Sequence, residues 1–395
     1  ATDNPEIIRG MIRAGMTVAR LNFSHGTHEK KQETAAMVRR IAREEGRHVA
    51  LLGDLQGPKI RIGSLPEEGV MLKEGEEIIL TSEPIERPGT RIPFPHPEII
   101  TDVEVGDRLL LDDGTMELEA LEKGPHYLRC RVHVGGILTS NKGVNLPGVK
   151  LHIPALTDKD REDALLAMEI EVDFLALSFV REAEDMETLR QYLEAQIDEP
   201  LTREVGEDPN KIPALVAKIE KPEALEDLEG IVNASDAVMV ARGDLGVEIA
   251  PERVPVVQKR IIHLCNRMGK PVITATQMLQ SMINLPRPTR AEASDVANAI
   301  LDGSDAVMLS GETSIGDYPV LAVQMMAKIA NHMEQAEDFP YNQLLDVDLD
   351  EALPNSTRIT FAISRSTVSM AEAVHASAIL SSTESGRTAR IVARH

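Results

Sequence analysis

Short apolar runs recur along the chain, each ending in polar or charged residues and each followed by a stretch of helical periodicity. They read "TVARLNFS", "VALLGDLQG", "DFLALSFV", "ALVAKIE", "AVMVARGDLG", "PVITATQM" and "AVMLSGE". Runs without polar alternation suit strands covered on both faces, and amphipathic stretches such as "REAEDMETLRQYLEAQ" and "VVQKRIIHLCNRMGK" supply the covering helices. Repeated strand–helix alternation predicts an α/β fold, a parallel sheet with helical crossovers. The strands in view number one fewer than the eight that close a (β/α)8 TIM barrel. The chain opens directly on a helical pattern, so the first strand is expected upstream of residue 1. A doubly wound open sheet is the alternative, but no dinucleotide-binding loop marks it.

The rhythm breaks between Gly63 and Lys150. There "GVMLKEGEEIILTSEP", "VEVGDRLLLDDGTMELEAL" and "HYLRCRVHVGGIL" show period-2 patterning, with a "DDG" turn and a "GG" pair. These features predict short antiparallel strands. The expected organisation is barrel over 1–62, an inserted small β-barrel lid domain over 63–149, barrel again over 150–330, and the start of a C-terminal α/β domain over 331–395. The insertion leaves the barrel after its third strand, counting the one expected upstream. It therefore emerges at the C-terminal face, where barrel active sites lie and where a lid would act.

Charge and cysteine usage narrow the function classes. Of 395 residues, 42 are Lys or Arg and 64 are Asp or Glu, for a net charge of −22. That field argues against nucleic acid or an anionic membrane surface as the main partner, while a local cationic cluster or a metal still admits anionic metabolites. Two widely separated cysteines, Cys130 and Cys265, suggest a reduced compartment without a disulfide framework. The N-terminal stretch has no signal-peptide core and no apolar run reaches membrane-spanning length, so a cytoplasmic location is expected.

The chemistry gathers where the apolar runs stop: Arg20, Asn22 and Ser24; Asp54; Lys218 and Glu220; Arg242 and Asp244; Thr276; Glu312. Lys218 and Glu220 are two apart on a strand and share a face. Alone, they suit a strand-closing ion pair as well as an active site. One stray salt bridge does not explain five charged strand ends converging on one face of a barrel. Glu220 and Asp244, from adjacent strands, form the acidic pair that Mg²⁺ asks for, with positions left open to water and substrate oxygens. Lys218 and Arg20 beside them would neutralise a transferring phosphoryl group. Thr276 either orients a water or a proton, or satisfies a strand-end backbone group. His25 and His28, with no thiol or third His nearby, read as supporting or helix-start residues rather than metal ligands.

Taken together, "VARLNFSHGTHE", "GDLQGPKIRIG", "NKGVNLPG", "VAKIEKPEAL", "MVARGDLGVEI", "ATQMLQSMI", "PTRAEASDVANAILDGSDAVMLSGETSIGDYP" and "TESGRTAR" resemble the pyruvate kinase family, through almost the whole chain and in the family's order. The resemblance implies a (β/α)8 barrel with a β lid and a C-terminal α/β domain. It also implies phosphoryl transfer from phosphoenolpyruvate to ADP, giving pyruvate and ATP. Carried over by motif, Lys218 stabilises the phosphoryl group, Arg20 contacts the substrate phosphate, and Glu220 and Asp244 hold Mg²⁺, or Mn²⁺ in its place. Gly243, Asp244 and Thr276 seat the substrate carboxylate, with Thr276 on the proton route to the enolate. Arg61, Lys142, Asn22 and His25 fall where the family meets the nucleotide, and Asn22, Ser24 and Asp54 where it holds a monovalent cation. Family members that need K⁺ carry Glu in "GPEIR"; this chain reads "GPKIR", and the Lys59 ammonium is expected to replace K⁺. "SSTESGRTAR" resembles the effector-phosphate loop, with Thr383, Ser385, Gly386, Arg387 and Thr388 as its candidates for a phosphorylated allosteric effector. A homotetramer is the family expectation. A Mg²⁺–enolate lyase and a catalytically dead scaffold are the rivals; Arg20, Lys218 and the β insertion count against the first, and the intact set of Lys218, Glu220, Asp244 and Thr276 against the second.

Overall fold

The computed structural model describes the chain except residues 1–3, 86–88, 198–211, 336–354, 384–385 and 394–395. Helix α1 (Pro5–Ala14) starts where the Asn4 side chain accepts from the Glu6 amide and ends at Gly15, which takes a left-handed φ of 116°. Strand β1 (Val18–Asn22) follows, then α2 (His28–Glu44) behind the N-cap Thr27, then β2 (Ala50–Asp54). After the β insertion, α4 (Asp158–Glu169) opens on a Thr157–Asp160 capping box. The alternation resumes with β11 (Phe174–Leu177), α5 (Ala183–Glu194), β12 (Ala214–Ile219), α6 (Leu228–Ala234) and β13 (Ala237–Ala241). Next come α7 (Arg242–Glu248), α8 (Val254–Met268), β14 (Val272–Ala275), α9 (Arg290–Leu301), β15 (Ala306–Met308), α10 (Gly311–Ser314) and α11 (Pro319–Glu334).

The seven strands expected from the apolar runs are all present. They form one parallel sheet in the order β1-β2-β11-β12-β13-β14-β15, the largest sheet among the described residues. Side chains alternate across it with period 2. Leu51, Leu175, Leu215 and Val238 belong to the large core under the helices, and their neighbours Leu52, Ala176, Val216 and Met239 form a separate cluster on the opposite, inner face. The sheet is curled, so this inner face is narrow and is filled by few, mostly small side chains.

The insertion folds around its own core, which runs from Ile60 to Leu151. Its strands are β3 (Val70–Leu72), β4 (Glu77–Thr81), β5 (Arg91–Pro93), β6 (Arg108–Leu111), β7 (Met116–Lys123), β8 (Tyr127–Val134), β9 (Gly136–Leu138) and β10 (Val144–Asn145), with α3 (Pro97–Asp102) between β5 and β6. Six of them order as β10-β6-β7-β8-β4-β5, antiparallel except for β4–β5, while β3 pairs with β9. The "DDG" turn joins β6 to β7, with Asp112, Asp113 and Gly114 all at positive φ. The "GG" pair marks the passage from β8 to β9. A Cβ at Gly135 would stand 2.3 Å from the Leu72 carbonyl oxygen, so only glycine permits that approach.

Beyond α11, the described residues contain two helices, Asn355–Ala373 and Arg387–Val392, and no strand. Gly386 (φ 73°) precedes the second helix. Of the candidate effector loop, Thr383 and Thr388 are exposed and Ser385 lies outside the described residues.

Candidate active site

The period-2 pattern that sends Leu52, Ala176 and Val216 to the inner face sends the residues two further on, Asp54, Ser178 and Lys218, to that same face. A polar layer therefore caps the apolar one at the C-terminal ends of the strands. All three are buried. Lys218 Nζ lies 3.1 Å from Asp54 Oδ1 and 2.9 Å from Glu220 Oε1, and donates to Ser178 Oγ at 2.7 Å. Ser178 Oγ in turn donates to the Leu55 carbonyl at 2.7 Å. Arg20, from β1, donates from Nε to Asp54 Oδ2 at 2.5 Å.

The charges shift one another. Burial opposes ionisation of Asp54, but Lys218 and Arg20 outweigh it and hold the carboxyl below the usual carboxylate range. Burial likewise opposes the Lys218 charge, and Asp54 and Glu220 overcome it, leaving the ammonium held above the ordinary lysine range. Glu220 behaves differently. Burial first, and the nearby Asp244 charge, push it up to about 7 against the attraction of Lys218. Its Oε2 accepts from the Phe179 amide at 2.8 Å.

Phe179 reaches Glu220 because it takes a left-handed φ of 58°. Gly57, at φ 67°, makes room: a Cβ there would stand 2.8 Å from Phe179 Cδ2 and 3.0 Å from Ser178 Cβ. The "QGPK" turn is thus packed directly on the residue that orients Glu220.

Thr276 also sits at positive φ, 69°, unusual for a β-branched residue. Its Oγ1 accepts from the Gly243 amide at 2.6 Å and donates to the Ala275 carbonyl at 2.6 Å. The Gly243 N–H expected to face a substrate carboxylate is therefore engaged by Thr276 in this structure. Arg242 clamps the turn, donating to the Thr276 carbonyl at 2.8 Å and pairing with Asp295 at 2.8 Å. Arg242 is thus a structural clamp for Thr276, a role not visible in its strand-end position. Glu312, also counted among the converging charges, is buried and accepts from the Leu279 and Ser310 amides at 3.0 and 2.8 Å. It organises backbone at the strand end.

The nucleotide candidates lie at the insertion. Arg61 forms an antiparallel bridge with Gly143 and donates from its guanidinium to the Asn141 carbonyl at 2.9 Å; Lys142 pairs with Asp112 at 2.7 Å. Burial, then Arg61, Lys31, Lys59 and Arg20, hold His25 below its usual range, so it stands among these cations as a neutral ring. Asn22 Oδ1 accepts from the Ser24 amide at 3.0 Å, shaping the turn after β1. His28 opens α2 and pairs with buried Asp163 at 2.7 Å. Lys59 is half-buried and lines a cleft between insertion and sheet, together with Phe179, Arg181, Lys221 and Asp244.

Among the described residues, no group of three or more His, Cys, Asp or Glu side chains is gathered as a metal cage. Glu220 and Asp244 are instead close enough for the Asp244 charge to raise Glu220. Two such carboxylates, with the remaining positions open, match how Mg²⁺ is held with water and substrate oxygens. Ser178, Phe179, Lys221 and Glu248 were not singled out from sequence. For Ser178 the signal existed: it shares the strand parity of Asp54 and Lys218.

A family model described as the pyruvate kinase barrel domain matches residues 1–323. Pyruvate kinase 2 of Synechocystis sp. is 47% identical over 398 residues, covering 100% of this chain and 64% of that protein. Pyruvate kinase of Geobacillus stearothermophilus is 44% identical over 397 residues, covering 100% of this chain and 65% of that protein. The chain thus spans just under two thirds of the length of these curated relatives. The crystal structure of a pyruvate kinase from Cryptosporidium parvum superposes with a TM-score of 0.89 at 38% identity, covering 99% of this chain and 78% of that one. A barrel-domain match over most of the chain, whole-chain identity above 40% and a closely superposing structure have one consequence: the chain belongs to the pyruvate kinase family.

Proposed function

We propose that the protein transfers the phosphoryl group of phosphoenolpyruvate to ADP, giving pyruvate and ATP. The observation that carries this reading is the buried Lys218, held between Asp54, Glu220 and Ser178 at the mouth of the sheet. A positive charge fixed in a site with little water is what a phosphoryl group in flight requires, since such transfer depends on positioning and electrostatics more than on covalent help.

Arg20 would hold the substrate phosphate while remaining tied to Asp54. Gly243, Asp244 and Thr276 would seat the carboxylate, with Thr276 Oγ1 turning from the Gly243 amide to the substrate. That hydroxyl would also relay the proton to the enolate carbon. Glu220 and Asp244 would hold Mg²⁺, or Mn²⁺, which supplies charge neutralisation on the phosphoryl oxygens when bound. Glu220 would have to give up its proton to hold the ion, so affinity would rise with pH through about 7.

Arg61, Lys142, Asn22 and His25 would meet the nucleotide, and the β insertion over 63–149 would close on it as a lid. Lys59 would stand in for K⁺ near Asn22, Ser24 and Asp54; its support is the "GPKIR" sequence and its half-buried place in the cleft. Assembly as a homotetramer, an effector phosphate at the Thr383–Thr388 loop and a cytoplasmic site of action extend the same reading. None of the helices described is long and apolar enough to cross a membrane.

The test is pyruvate formation from phosphoenolpyruvate and ADP with Mg²⁺, first in K⁺-free buffer and then with K⁺ added. Turnover in both supports the reaction and the role of Lys59. Turnover only with K⁺ keeps the reaction and discards that role, and turnover in neither removes the reading.

A further inference from the structure

We propose that Asn145, Glu248 and Lys221 form a buried latch that fastens the β insertion to the sheet domain and sets the position of its nucleotide-facing edge. Glu248 lies at the end of α7, on the helix that also carries Asp244, and its side chain is 1% exposed. One oxygen, Oε1, takes two donors: Lys221 Nζ at 2.6 Å and Asn145 Nδ2 at 2.8 Å. The other, Oε2, is buried and has no hydrogen-bond donor among the described residues. Lys221 directly follows Glu220 and rests 5.9 Å above the Phe179 ring centroid, the residue whose amide holds Glu220. The latch thus runs from the insertion to the backbone that orients a metal-ligand candidate.

Burying an ion pair is costly, and keeping one where an apolar pair would pack calls for a geometric reason. Here the reason is the third member. Asn145 is the last residue of β10, whose strand partner is β6. The segment before it is stitched to the residues on either side of Arg61: the Ile62 amide donates to the Lys142 carbonyl at 3.0 Å and the Val144 amide to the Ile60 carbonyl at 3.0 Å. Anchoring Asn145 therefore anchors Lys142 and Arg61. A second point of approach supports the same docking, since a Cβ at Gly114, in the turn beside Asp112, would stand 3.6 Å from Val247 Cγ1 on α7. Arg20, Lys218, Glu220 and Asp244 lie on the sheet domain and not on this edge, so a shift of the edge falls first on the nucleotide side. The three latch residues are positioning residues for the nucleotide side, a role that rests on the functional reading above.

Asn145→Asp tests it, because it keeps the side-chain volume, removes the donor and places a carboxylate against Glu248. Spin labels at Met71→Cys and Val256→Cys, exposed sites on insertion and sheet domain, report the separation of the two; Cys130 and Cys265 are buried. The expected result is a broadened or shifted distance distribution in Asn145→Asp, with KM for ADP raised about fivefold or more, as for one lost charge-assisted hydrogen bond. KM for phosphoenolpyruvate should change less than about twofold on the same reasoning. An unchanged distance distribution overturns the latch whatever the kinetics. A broadened one in which both KM values move together overturns the positioning role. If the unsubstituted chain forms no pyruvate, the functional reading fails, and the distances still decide whether the latch exists.

Discussion

Lys218 and Asp54 stand 3.1 Å apart, both buried, on the parallel strands that flank β11: Asp54 on β2, before the β insertion, and Lys218 on β12, after it. Their pairing joins the two halves of the sheet domain at the point where the chemistry is proposed. Asp54 has a second cation in Arg20, so the pair is the centre of a network in which each charge depends on another.

Lys218→Met should lower kcat by about 10²–10³-fold, the usual effect of removing one preorganised charge donor from a closed site. It should also destabilise the fold, because Glu220 loses its counter-ion, although Asp54 keeps Arg20. Steady-state kinetics with a thermal melt separate the two effects.

The metal-free protein should lose stability as pH rises from about 5 to about 7, owing to Glu220. The sign follows from its raised value: between its ordinary 4.5 and about 7 the folded protein holds a proton there that the unfolded chain releases. Asp54 works in the opposite sense. Its lowered value adds stability above the ordinary carboxylate range that is lost only as acid protonates the folded carboxyl. Melting curves across this range should therefore flatten in Glu220→Gln, and a slope as steep as that of the unsubstituted protein would exclude Glu220 as its source.

Gly57→Ala should cost about 1–3 kcal/mol from left-handed backbone strain and overpacking. The added methyl meets Phe179 and Ser178, the two residues that hold Glu220 and Lys218. Weaker Mg²⁺ activation should accompany the loss of stability, measured as the Mg²⁺ concentration for half-maximal rate. An unchanged Mg²⁺ requirement would show that the turn does not transmit to Glu220.

Thr276→Ala should lower turnover by about 10²-fold if its hydroxyl relays the proton as proposed. Thr276→Ser keeps the hydroxyl and should recover most of the rate. Equal loss in both variants would assign the effect to the strained backbone held by Arg242.

Lys59→Glu should leave little activity in K⁺-free buffer and regain it when K⁺ is added. A variant that works equally well without K⁺ would separate Lys59 from the monovalent-cation role.

The sequence by itself determined the rhythm of the fold. Buried parallel strands need unbroken apolar runs, so "DFLAL", "ALVA" and "AVMVA" were readable as strands. Insertion strands with one core face alternate, so β4, β6, β7 and β8 were readable as strands of another kind. It also determined most of the polar layer, because parity along a strand is a local property: Asp54, Lys218 and Arg20 follow from where each run stops. Which of those charges touch was decided only by tertiary structure, since strand adjacency and register relate residues far apart in the chain. Lys218 meets Asp54 across 164 positions of sequence that contain the whole insertion. For the same reason the amides that Glu312 holds and the Thr276 carbonyl that Arg242 holds were not readable from their strand-end positions. Glu248, with nothing local to mark it, became visible only when Asn145 and Lys221 were brought to one of its oxygens.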